Sequence, residues 1–164
     1  MSDILAGLTR RLQNVVQVMR TTVAPIDSGP VQTVQAKSNS AQTRDNIPVT
    51  YHYGFSAHIP VGSDIIVLNV SGDGTKGMVI SSAHQGSRPK NLTDGQVMLY
   101  DLTGSSVLMD GKGGVVLTAS GGTVTINGKL VVTEDATIGG ITFLAHEHSN
   151  GNDGNATGAP IAGT

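Results

Sequence analysis

Along residues 123–138 the even-numbered Val124, Ile126, Leu130, Val132, Ala136 and Ile138 are apolar, whereas the odd-numbered Thr123, Thr125, Asn127, Lys129, Thr133, Asp135 and Thr137 are polar or charged. Side chains two residues apart on an extended strand share a face, so this alternation describes β structure with one apolar and one polar side. Upstream, Val107, Met109, Val115, Leu117 and Ala119 hold the odd parity instead, and the switch falls at Gly121 and Gly122, where glycine can supply a turn or bulge. Turns recur at DGKGG, SGG, NGK and TED. Strands this short, with narrow apolar faces and no adjoining helix, cannot bury enough surface alone and would leave edges exposed. The pattern therefore predicts a closed oligomer in which identical chains wrap one axis, each covering its neighbour's edges.

The rest of the chain sets bounds on that assembly. Aromatic residues make up 3 % of the 164 and glycine numbers 22, which argues against one large core. The net charge of −2, with no basic run interleaved with aromatics, gives no footprint for nucleic acid, and no small-molecule substrate is indicated. There is no cysteine, so durability has to come from packing, assembly or a bound ion. The start, MSDILAGLTRRLQNVVQVMR, carries Asp3 and interrupting arginines and does not read as a signal peptide. No apolar stretch approaches the roughly 20 residues of a membrane-spanning helix, so a soluble product is expected.

In residues 1–20, Ile4, Leu8, Leu12, Val15 and Met19 fall at helical spacing, predicting an amphipathic helix. Residues 21–100 hold five β-like runs, VQTVQAK, IPVTYHYG, DIIVLNV, GMVISS and QVMLYD, the number needed for a small OB-like barrel. Gly72, Gly74 and Gly77 in SGDGTKG match the spacing of a dinucleotide fingerprint. That fingerprint requires a helix after its glycines, and β-branched GMVISS follows, so a hairpin turn is expected. His52, His58 and His84 are isolated and read as surface or satisfied core residues.

The run AHEHSNG near the C-terminus places His146 and His148 two residues apart, continuing the even parity of the apolar face above. On an extended strand both imidazoles would face one axis, with Glu147 turned away. Three chains would then bring six imidazoles together, a set that suits an octahedral first-row metal such as iron better than tetrahedral zinc. The register is ambiguous just before this point, because Ile141, Phe143 and Ala145 are apolar on the odd side. Either Gly139 and Gly140 shift it, or the chains cross and bury both faces.

This order of parts resembles the baseplate assembly protein V family, the central tail spike of contractile-tailed phages similar to Mu. The stretches that carry the likeness are HIPVGSDIIVLNVSGDGTKGMVISS, LTDGQVMLYDLTGSSVLMDGKGGVVLT and GGITFLAHEHSNG. The resemblance implies a mainly β trimer: an N-terminal helix (1–20), an OB-like barrel (21–100), an intertwined triple-stranded β-helix shaft (101–144) and a metal-binding tip (145–164). It implies one iron ion per trimer held by His146 and His148 of three chains, with calcium or chloride as further ions on the axis. The partners implied are the baseplate hub, the tail tube and the host outer membrane, pierced when the sheath contracts. The protein would be assembled in the host cytoplasm, would reside at the tip of the virion's tail baseplate, and would have no catalytic turnover. Two other readings compete. A trimeric receptor-binding fibre would use the barrel for attachment, although only Phe143 offers an aromatic near the terminus. A zinc enzyme would take His146 and His148 as ligands and Glu147 as base, but lacks an evident third ligand.

Overall fold

The computed structural model describes residues 2–38 and 42–147. The fold is mainly β, with one helix, α1 (Ser2–Gln13), at the start. Its strands form two compact units, residues 1–123 and 124–164.

The helix is shorter than its periodicity predicts. The apolar spacing runs on through Val15 and Met19, but β1 (Val16–Thr21) takes those residues into a sheet. A distant residue decides where the helix stops. The backbone N–H of Asn69 donates to the Val15 carbonyl (2.8 Å) and its side-chain amide donates to the Asn14 carbonyl (2.6 Å). Those two carbonyls are thereby held against the neighbouring strand, and the β-branched run Val15, Val16, Val18 favours the extended form. Met19, expected on the helix stripe, is instead buried in the barrel core.

The first sheet orders its strands β3-β2-β1-β4-β5, all antiparallel, with β2 (Thr33–Lys37), β3 (Thr43–Pro48), β4 (Asp64–Asn69) and β5 (Gly77–Ala83). Its two outer strands meet through a parallel bridge between Val49 and Val79, where Thr50 N–H donates to the Val79 carbonyl at 3.0 Å. The result is the five-stranded, nearly closed arrangement of an OB-type barrel. Two strands differ from expectation: the fifth member is β1, with QVMLYD in another sheet, and in place of IPVTYHYG the strand is Thr43–Pro48, which takes in only Ile47 and Pro48 of that run. Alternate side chains of these strands fill the interior, with Met19, Val34, Ala36, Ile47, Ile65, Val67 and Val79 all buried. The SGDGTKG stretch joins antiparallel β4 and β5, with strand and not helix after it, so the glycines serve a hairpin connection as expected.

Beyond the barrel, β6 (Val97–Tyr100), β7 (Ser106–Met109) and β8 (Val115–Thr118) form an antiparallel meander whose strands begin nine residues apart. The repeat has a chemical cause. In each turn an aspartate accepts two backbone N–H groups: Asp101 from Thr103 (2.8 Å) and Ser105 (2.9 Å), Asp110 from Lys112 (2.7 Å) and Gly114 (2.9 Å). Nine residues further on, the equivalent position is Ala119, which has no side-chain acceptor, and no strand is assigned between β8 and residue 137.

Both carboxyls titrate below the ordinary aspartate range, Asp101 chiefly because the Thr103 hydroxyl donates to it and Asp110 because backbone N–H groups do. Each depressed value means that the folded turn favours the charged form. The stabilisation is present above the unfolded aspartate pKa of about 3.9 and is lost as pH falls through the lower folded value. We expect hydrogen exchange at β7 amides to accelerate on acidification through that window. The double variant Asp101→Ala, Asp110→Ala should exchange fast at neutral pH and lose the pH dependence. Exchange in the wild-type chain that is insensitive to pH after correction for intrinsic rates would show that the turns do not depend on these charges.

The meander is apolar on both sides. Leu99, Val107 and Leu117 lie in one row and Met98, Leu108 and Val116 in the row of the opposite face. Leu117 is 63 % exposed and Val116 49 %. In the second unit Ile126, Leu130, Val131 and Val132 are also exposed, in a stretch without a strand partner among the described residues.

Candidate metal centre

The end of the described chain is built on a two-residue hairpin. In the sequence TIGGIT, β9 (Thr137–Ile138) pairs with β10 (Ile141–Thr142), matching Ile138 with Ile141 and Thr137 with Thr142. Gly139 and Gly140 both adopt positive φ (59° and 86°), the requirement of a type I′ turn, which only glycine meets twice in succession without strain. This turn resolves the ambiguous register. Pairing 138 with 141 exchanges even for odd, so Ile141 joins the face of Ile138 and the polar threonines share the other. Leu130, Val132, Ala136, Ile138, Phe143 and Leu144 accordingly line one concavity of about 360 Å³.

The same hairpin breaks the parity between His146 and the even face upstream. His146 does not continue a strand from the even face, because the chain has reversed at Gly139–Gly140 and residues 143–145 form a turn before it. His148 lies outside the described residues. Locally, His146 Nδ1 lies 2.5 Å from the Phe143 carbonyl, and its ring is 5.6 Å from the Phe143 ring at 41°. A carbonyl can only accept, so Nδ1 is the donor and Nε2 is the lone-pair nitrogen of the neutral ring. Histidines that hold metals are commonly fixed in this way. The donor set at His146 therefore fits an imidazole ligand. Among the described residues no three metal-ligating side chains of one chain come together, so a site at His146 would draw its other ligands from beyond them.

Sequence reasoning missed Asp135 and Phe143, which shape this end. The mirror-like TIGGIT was the available signal, since paired glycines between β-branched residues mark a tight hairpin.

The remaining candidates are less organised. His58 and His84 line a groove of about 570 Å³ with Tyr100 and Asp101, and His84 Nδ1 is 2.9 Å from Ser87 Oγ. The aromatic residues of a nucleic-acid platform are not arranged as one. Tyr51 packs against the barrel core with its hydroxyl donating to the Ala57 carbonyl at 2.5 Å, while Tyr53 and Phe55 are exposed. Burial, aided by Asp27, pushes the Tyr51 phenol upward. Among the described residues no helix is long and apolar enough to cross a membrane.

Residues 20–86, which run from within β1 to just past β5, match the family model Bacteriophage Mu Gp45, N-terminal. Over this stretch the chain is similar to the Mu Gp45 family. No curated protein matches the chain significantly. The similarity to the Mu Gp45 family suggests a structural component of a phage tail or baseplate, and with it a place in the virion beside other baseplate or tail components. The Mu Gp45 match covers the barrel, and α1, the meander and the second unit lie outside it.

Proposed function

We propose that this chain is the central spike of a contractile phage tail: a homotrimer whose C-terminal segments wind about one axis into a β-helical shaft and whose point pierces the host outer membrane when the sheath contracts. The barrel sits on the hub or tail tube above. The point is clamped by an iron ion held by His146 and His148 of three chains, with calcium or chloride as further ions along the axis.

One observation carries the reading. Past the barrel in sequence, many apolar side chains of residues 97–144 stay exposed, Leu99, Val116 and Leu117 on the two faces of the meander and Ile126, Leu130, Val131 and Val132 along the stretch without an assigned strand. Each Val, Leu or Ile kept exposed forgoes about 1.5–3 kcal/mol of burial. Identical chains around an axis recover that energy and pair the open strand edges at once. Stiffness follows, because interchain hydrogen bonds replace the missing intrachain ones. A metal would add a crosslink at the end, where fraying would otherwise begin.

Sedimentation equilibrium of the purified chain at micromolar concentration should give three times the 16.8 kDa chain mass. Gold-labelled antibody against the barrel should mark the baseplate end of intact virions. A monomer, or label distributed along the tail, would overturn the proposal.

A further inference from the structure

We infer that Asp135 is a positioning residue for the metal-facing imidazole of His146, clasping the hairpin so that the ring is oriented before any metal arrives. The inference rests on the reading of His146 as a ligand.

The clasp is a short chain of hydrogen bonds. One carboxylate oxygen of Asp135 accepts the N–H of Ala136 (2.7 Å) and the N–H of Leu144 (3.1 Å), tying the start of β9 to the turn beyond β10. Beside it, Phe143 N–H donates to the Ala136 carbonyl at 2.7 Å. Phe143 is thus held by its own amide on one side and by its neighbour's amide on the other. Its carbonyl then accepts from His146 Nδ1, and its ring flanks the imidazole. The order of dependence runs from Asp135 to the turn at 143–145, from the turn to the Phe143 carbonyl, and from that carbonyl to the tautomer and direction of His146.

Asp135 is solvent-exposed and lines no buried core, so a structural role alone gives little reason for a carboxylate there. An acceptor reaching two amides eight residues apart does give one. Orienting partners of metal-bound histidines typically affect metal affinity by about 10–100-fold. Asp135 acts one step further out, through the backbone.

The test uses the full chain, with assembly checked by sedimentation for each variant. In metal-free protein, long-range nitrogen–proton correlations of the imidazoles should show His146 protonated at Nδ1. Asp135→Ala should convert this to a mixture of tautomers and weaken iron(II) binding, measured by chelator competition, by about 10-fold or more. Asp135→Asn keeps the acceptor oxygen and should restore both readouts most of the way. A metal-free wild-type His146 protonated at Nε2 would overturn the inference, as would an Asp135→Ala chain with wild-type metal affinity. Wild-type protein that binds no metal would overturn the ligand reading and this inference with it, whereas wild-type affinity in Asp135→Ala overturns this inference alone.

Discussion

The double variant Ile126→Asp, Leu130→Asp should sediment as a monomer while its barrel melts like that of the wild-type chain. Both side chains belong to the even-numbered apolar face, both are more than half exposed in the single chain, and neither lies in a strand paired within it. In a trimer with that face toward the axis, the substitutions would place six carboxylates in a narrow apolar interior. Unpaired charge there is disfavoured by several kcal/mol per group, on top of the lost burial of about 1.5–3 kcal/mol per side chain. Losses of that size, repeated in three chains, exceed what a trimer interface of this length can absorb, so association should vanish at micromolar concentration. The barrel draws its stability from Ile65, Val67, Val79 and their neighbours, all buried within one chain. Far-UV circular dichroism and thermal melting should therefore retain the barrel transition. The matched control Thr125→Asp, Lys129→Asp alters the polar face and should remain trimeric. A trimeric core variant would show that the even face does not face the axis.

Much of the barrel was legible because its information is local. DIIVLNV and GMVISS are short runs rich in β-branched residues, each readable as a strand without reference to distant residues, and the glycine-rich stretch between them reads as a turn. The β-branched residues after those glycines were enough to reject a nucleotide-binding turn. What was not legible depended on contacts between residues far apart in sequence. The helical spacing from Ile4 to Met19 is genuine as far as Gln13, but Asn69, some fifty residues away, captures the carbonyls that would have continued the helix. Nothing between residues 1 and 20 encodes that capture. QVMLYD has the composition of a barrel strand and was counted as one, yet the Asp101 turn folds it onto its own successor, β7.

At the C-terminal end the difficulty was one of parity. A two-residue hairpin exchanges odd for even, so a face followed by counting in twos is lost at Gly139. The apolar residues at 141 and 143 that conflicted with the pattern were its continuation after the reversal. The histidine pair stands out by its two-residue spacing at the end of a β segment, and only its parity with the even face is broken by the hairpin. The chemistry of His146 rests instead on Phe143 and Asp135, whose roles come from a turn geometry that composition does not reveal.

Changing His146 and His148 together to alanine should remove bound transition metal from the purified protein while leaving the trimer intact. His146 presents Nε2 as its ligand atom because Nδ1 is committed to the Phe143 carbonyl. Among the described residues its own chain supplies no group of three ligands, so occupancy requires donors from elsewhere in the assembly. If two imidazoles from each of three chains fill an octahedral set, iron-replete protein should contain about one ion per three chains. Elemental analysis of wild-type and variant protein measures this directly, and the variant should fall to the background. Ligand protonation competes with the metal, so occupancy should decline on acidification and recover on return to neutral pH with added iron(II). The apolar face from Val124 to Ile138 is unaltered by the substitutions, so sedimentation should still report a trimer, with protease sensitivity gained only beyond the hairpin. One ion per chain would place the metal in a separate site within each subunit. Wild-type protein without metal after iron-replete expression would leave the two histidines as surface residues, and the end of the spike would have to be held by chain packing alone.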